Sequence, residues 1–181
     1  DIMKLFKNRN KDKEIEAELG GISENAYMWF QIGIEYDHAE VQELLDTLDK
    51  TLYPALRDLF GKEWRPGVDN DPHFSVLHFS GGDDYSKLGF FDTTNEYPNS
   101  VEENSNEQEM IYLNSDELTF GKELYLGTLV HELQHLIHWH HDPNEVVWLD
   151  EGLGQLAETA LGFDTVFATD YMANTDTSLT L

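Results

Sequence analysis

Residues 121–140 constrain the fold more tightly than any other part of the chain. Leu126, Leu129, Val130, Leu133, Leu136 and Ile137 recur at intervals of three and four, so the segment predicts a helix with one apolar, core-facing stripe. The same helix carries His131-Glu132-Leu133-Gln134-His135. Successive helical residues turn by about 100°, which puts residues four apart on one face, one turn above the other. His131 and His135 can therefore reach one small cation together, while Glu132 projects beside them with its carboxylate free of the metal. This is the His-Glu-x-x-His pattern in which one helix supplies two zinc ligands and a general base. A helix that is apolar on one side and metal-binding on the other belongs between a core and a cleft.

The remaining pattern supplies partners for that helix. At 181 residues, with 40% hydrophobic and 12% aromatic content, the chain fits one folded domain with a proper core. Residues 1–20 are expected as an N-terminal arm or short amphipathic helix ended by Gly20-Gly21, and 21–181 as the main domain. Residues 30–36 alternate as a strand does, whereas 39–60 repeat at three and four as a long amphipathic helix that Pro54 should bend or divide and Gly61 should close. Phe74–Phe79 reads as a buried strand, Leu88–Phe91 as a short edge strand and Glu109–Asn114 as another strand. Residues 92–109 read as a long polar loop, and Leu149–Leu161 as a second helix with Gly162 at its C′ position. The expected fold class is α+β: a mixed sheet backed by a helix, with the motif helix lining a cleft and a further helix after it.

The chain has no cysteine, so any metal must be held by histidine and carboxylate. A catalytic zinc takes three protein ligands, and two residues compete for the third place. Glu151, fifteen residues beyond His135, would reach the metal if a second helix folds back. His141 stands where the extended metzincin pattern has its third histidine, but His138 replaces the glycine which that pattern needs for its abrupt turn. Met172 is weak support for a methionine turn. His138, His140 and His141 otherwise read as polar residues at a fraying helix end, His73 and His78 as core or surface residues, and Trp148 as core packing.

The pair HELQH and WLDEGLGQLAE resembles the gluzincin clan of zinc metallopeptidases, most closely the hyicolysin-like secreted bacterial enzymes. The specific likeness covers roughly residues 120–160. It implies a zincin-like fold with a small lower lobe, Zn2+ held by His131, His135 and Glu151, and Glu132 as the base. It also implies a secreted or extracellular protein that hydrolyses peptide bonds in peptides or proteins. Two departures stand out. The step from His135 to Glu151 is shorter than in zinc aminopeptidases, and Gln155 replaces the thermolysin-like Asp that orients a ligand histidine. Asp150 or Glu158 could take that orienting role. Tyr171, the only tyrosine after the motif, is the candidate oxyanion donor, although a packing role is preferred for it.

The leading expectation is a zinc endopeptidase in which Glu132 takes the proton of the attacking water and passes it to the leaving amine. An aminopeptidase, another zinc hydrolase or a non-catalytic metal-binding module are the alternatives; the retained Glu132 speaks against the last. The net charge is −25, and no Lys or Arg follows Lys122. No nucleic-acid partner is expected, because phosphate binding needs a cationic surface. No membrane partner is expected either, since no apolar run approaches the ~20 residues that span a bilayer. The acidity suits a solvated surface, and it would also attract cations and basic peptides. Asp92, Glu96, Glu102, Glu103, Glu107 and Glu109 offer oxygen donors for Ca2+ without EF-hand spacing, so a solvated loop is preferred for that stretch. The chain opens at Asp1 without a signal-peptide pattern, consistent with a processed or excised segment.

Overall fold

In the computed structural model, which describes residues 2–8, 13–83 and 85–163, alternation rather than helical periodicity governs the N-terminal region. The described residues among 1–20 do not form a helix or a free arm. They supply β1 (Met3–Asn8) and most of β2 (Lys13–Ile22), paired antiparallel. The reason lies in a period of two: Ile15 and Ala17 are buried and alternate with Glu14, Glu16 and Glu18. Lys7 stands opposite Glu14, and Phe6 opposite Ile15, so charge and apolar pairing agree on the register.

β3 (Ala26–Gln31), β4 (Phe74–Phe79), β5 (Gly89–Phe91) and β6 (Met110–Asn114) complete a six-stranded mixed sheet in the order β1-β2-β3-β4-β6-β5. β3, β4 and β6 run parallel, and β5 is an antiparallel edge strand. The alternation expected over 30–36 stops at Gln31, where Ile34 N–H returns to the Gln31 carbonyl and Gly33 takes a φ of 100°.

Between β3 and β4 runs α1 (His38–Thr47), a π turn (Leu48–Leu52) and α2 (Tyr53–Phe60). Asp37 starts α1 by accepting the N–H groups of Ala39 and Glu40 at 2.8 and 3.1 Å. Pro54 divides the run, as its chemistry demands. It has no N–H to give, and its ring crowds the carbonyl one turn back. The wide turn ahead of it, closed by Tyr53 N–H on the Leu48 carbonyl, accommodates both.

α3 (Glu123–His141) and α4 (Val147–Ala160) follow β6, joined by only five residues. α4 ends in a Schellman turn: Phe163 N–H reaches the Glu158 carbonyl and Gly162 N–H the Thr159 carbonyl, with Gly162 at a φ of 86°. None of the described helices is long and apolar enough to cross a membrane.

The main core lies between one face of the sheet and the helices, with Met28, Phe30, Val76, Ile111 and Leu113 packed against Val41, Leu45, Leu48, Leu56, Leu129, Leu133 and Ile137. A second core on the opposite face gathers Phe6, Trp29, Leu77, Phe79, Met110 and Tyr112. Residues 92–109 are the expected solvated loop only in their middle, where 97–101, 103 and 104 are exposed; both ends turn inward. Thr94, Asn95, Glu96, Ser105, Gln108 and Glu109 are buried. Asn106 ties this loop to β1: its Oδ1 accepts Lys7 N–H at 2.7 Å, and its Nδ2 donates to the Lys7 carbonyl at 3.1 Å and to Tyr112 Oη at 3.0 Å. A side-chain amide thus satisfies the open edge of the sheet.

His78 joins the sheet to α3 inside the main core. It is 2% exposed, its Nδ1 donates to the Trp29 carbonyl at 2.8 Å, and its Nε2 accepts from Tyr125 Oη at 2.8 Å. Burial pushes its pKa down from 6.5 to about 4, against the raising effect of the Trp29 carbonyl. The native ring is neutral where the unfolded one takes a proton, so the unfolded state binds more protons between these values and stability falls as pH drops from 6.5 to 4. The full shift corresponds to about 3 kcal/mol. Urea unfolding of wild type and His78→Gln across this range should show a steeper acid loss in wild type; parallel curves would refute the assignment.

Candidate metal centre

The connection between α3 and α4 is short enough to fold one helix back on the other, and the contacts show the antiparallel order. His135, later in α3, meets Asp150, early in α4: Nδ1 to Oδ1 is 3.0 Å. His131, earlier in α3, meets Glu158, late in α4: Nδ1 to Oε1 is 2.6 Å. Each imidazole thereby has its Nδ1 held by a carboxylate, leaving Nε2 for a ligand. Asp150 and Glu158 both act as orienting partners, one for each histidine, which the sequence could not apportion.

Glu151 closes the site. Its Oε2 lies 3.4 Å from His131 Nε2, and ligand atoms of His131, His135 and Glu151 all lie within 4.8 Å of one another. Tetrahedral zinc with bonds of ~2.0–2.1 Å spaces its ligand atoms about 3.4 Å apart. The donor set and spacing therefore suit a metal ion, and these three are the one such group among the described residues. His141 is not part of it; its ring packs against Gly61 at the end of α2. His138 lies 3.5 Å from Glu145. Trp148, expected in the core, is half-exposed. Tyr171, Met172 and the small lower lobe fall outside the described residues.

Electrostatics favour positive charge at this point. Burial alone would lower the His131 pKa, but its hydrogen bonds to Glu151 and Glu158 and the nearby charge of Glu132 raise it to about 10. The hydrogen bond with His131 holds Glu151 below the usual carboxylate range. For Asp150, burial works upward, yet the bond to His135 and the neighbouring imidazoles bring it down. Glu132 is 7% exposed; burial pushes its carboxyl up, opposed by His135 and His131 and by a hydrogen bond from the Phe91 N–H on the edge strand. The carboxylate is thus held between the two histidines and β5.

Gly154 is the residue that pattern reading missed. A Cβ there would stand 2.7 Å from both Cε1 and Nε2 of His131, whereas one at Gly152 would meet nothing within 4 Å. Glycine in mid-helix is destabilising, so Gly154 marks the place where α4 must pass close to a ring; two glycines in EGLGQ were the available signal.

Comparison of the chain with protein-family profiles and with curated proteins finds no match.

Two sets of substitutions test the geometry. Asp150→Asn and Glu158→Gln should each lower zinc affinity by about 10–100-fold, measured by chelator competition. Gly154→Ala should cost a comparable factor by displacing His131, while Gly152→Ala should leave affinity unchanged and stabilise the helix by about 0.5–1 kcal/mol. Equal behaviour of the two alanine variants would contradict the close approach.

Proposed function

We propose that the chain is a zinc-dependent peptidase, with an endopeptidase as the leading reading. The observation that carries it is the convergence of His131, His135 and Glu151 with Glu132 buried beside them on α3. Zn2+ bound by the three would supply Lewis-acid polarisation of a carbonyl and lower the pKa of water. Glu132 accepts the proton of the attacking water and returns it to the leaving amine. Its environment suits this task, since burial raises its proton affinity. Asp150 and Glu158 keep the two imidazoles turned toward the ion. The substrate is a peptide or protein, and the likeness of HELQH and WLDEGLGQLAE to the hyicolysin-like enzymes supports an extracellular setting.

Purified chain loaded with zinc should cleave casein or a mixed peptide library. Glu132→Gln should keep its zinc and lose about 10²–10⁴-fold in kcat/KM. Cleavage by that variant at the wild-type rate would sink the mechanism. Glu151→Ala should lose zinc affinity and His141→Ala should not; the reverse result would overturn the ligand set.

A further inference from the structure

Every buried carboxylate needs a counter-charge, a proton or a cation. Four are buried among the described residues: Glu63, Glu96, Glu109 and Glu132. Glu63 lies 3.5 Å from Arg57 and 3.9 Å from Arg65. Glu132 sits beside His131 and His135. Glu96 and Glu109, 2% and 3% exposed, have neither lysine, arginine nor histidine against them and instead meet each other.

Three backbone segments bring them together. Asp92 caps the 3-10 turn Thr93–Glu96, which delivers Glu96 inward. Gln108 N–H donates to the Asn95 carbonyl at 3.1 Å, and Asn106 N–H to Asn95 Oδ1 at 2.9 Å, so the chain before β6 runs alongside that turn. From a third side, Val68 N–H donates to Glu109 Oε1 at 2.9 Å. Gly67 adopts a φ of 86°, and a Cβ there would run into the Glu109 carboxylate. Asp69, next to this turn, adds a third negative charge to the surroundings of both glutamates. Lys4 donates to Gln108 Oε1, and its charge acts on Asp69 rather than on either glutamate. One oxygen, Glu96 Oε1, is fully buried with no hydrogen-bond partner.

We propose that Glu96 and Glu109 bind one Ca2+ ion, with Asp69 at the margin, and that the ion fastens residues 92–109 to the sheet. The donors are all oxygen and sit on irregular backbone, which suits the flexible coordination of Ca2+ better than the strict octahedron of Mg2+ or the nitrogen-rich sites of Zn2+. The ion takes the otherwise unmatched Glu96 oxygen, and backbone carbonyls and water can fill the remaining positions. Without it the pair must hold a proton: burial first, then the charge of Glu109, pushes Glu96 well up, and burial also raises Glu109. The inference is independent of the peptidase reading, because none of these residues belongs to the His131 group.

The test is calorimetric titration of Ca2+ into the zinc-loaded chain at pH 7.5, with thermal melting in parallel. Expected are one saturable site and a Ca2+-dependent rise in Tm that equimolar Mg2+ does not reproduce. Glu96→Gln and Glu109→Gln should each weaken binding at least about 10-fold, since affinity follows the ligand charge. Glu103→Gln, on the exposed part of the same loop, should leave it unchanged. Absence of a saturable Ca2+ site in wild type, or Ca2+ binding that survives both substitutions, overturns the proposal. A Glu96→Gln variant that is more stable than wild type and indifferent to Ca2+ would show a proton-sharing acid pair instead. Should the glutamine variants fail to fold, Tb3+-soaked wild-type crystals decide by anomalous scattering: density between Glu96 and Glu109 supports the site, and density confined to surface acids or to the His131 group refutes it.

Discussion

The hydrogen bonds from His131 to Glu158 and from His135 to Asp150 set the requirements that the rest of the structure meets. Two imidazoles on adjacent turns of α3 reach a common point only if neither ring can rotate. Each must therefore find a fixed acceptor on a neighbouring element. α4 provides both acceptors because it lies antiparallel to α3, and it adds Glu151 between them. Its path brings Gly154 up against the His131 ring, so the absence of a side chain at that position is part of the site. The Schellman turn at Gly162 holds the end of α4 from which Glu158 projects.

The other side of α3 carries the opposite obligation. Leu129, Val130, Leu133, Leu136 and Ile137 are buried in the main core, and Tyr125 reaches through it to His78 on β4. The helix is thereby fixed to the sheet on the side opposite α4. The edge strand completes the enclosure, since β5 runs beside α3. The two histidines, Glu132 and the edge strand thus lie on packed neighbouring elements. This is the condition for a preorganised site, in which binding of an ion or substrate need not reorder the protein around it.

Much of this was legible in the sequence because it depends on local periodicity. The apolar stripe of α3, the mainly apolar run of β4, the glycine that ends α4 and the break before Pro54 all follow from neighbouring residues in one segment. The placing of His131, Glu132 and His135 on one stretch of helix was legible from their spacing alone. Glu151 was separable from His141 only through resemblance until the fold showed His141 packed at Gly61. The β1–β2 hairpin was missed although Ile15 and Ala17 alternate with three glutamates, because the dense charge of the segment resembles a solvated helix. The burial of Thr94, Asn95, Glu96, Ser105, Gln108 and Glu109 had no local signal at all. It rests on side-chain amides such as Asn106 that satisfy backbone groups ~100 residues away, an arrangement visible only when the sheet is formed.

Acidity in this chain has two distinct consequences that composition cannot separate. Among the described residues most acidic side chains are not buried, and a carboxylate that keeps its water contributes little to the fold. The few that are buried must be matched, and the match identifies what each one does. Arginines beside Glu63 make it structural, since the ion pair joins the end of α2 to the following loop. Imidazoles beside Glu132 and Glu151 make those carboxylates part of a cation-attracting centre, with the His131 pKa raised to about 10 as its electrostatic trace. Glu96 and Glu109 have only each other and the nearby Asp69, which Lys4 partly offsets, and they are the buried carboxylates among the described residues on which no basic side chain acts. The same reasoning that assigns a metal to the histidine site therefore points to an exogenous positive charge here, and the lack of nitrogen donors is what distinguishes the hard cation expected at this pair from the zinc expected on α3.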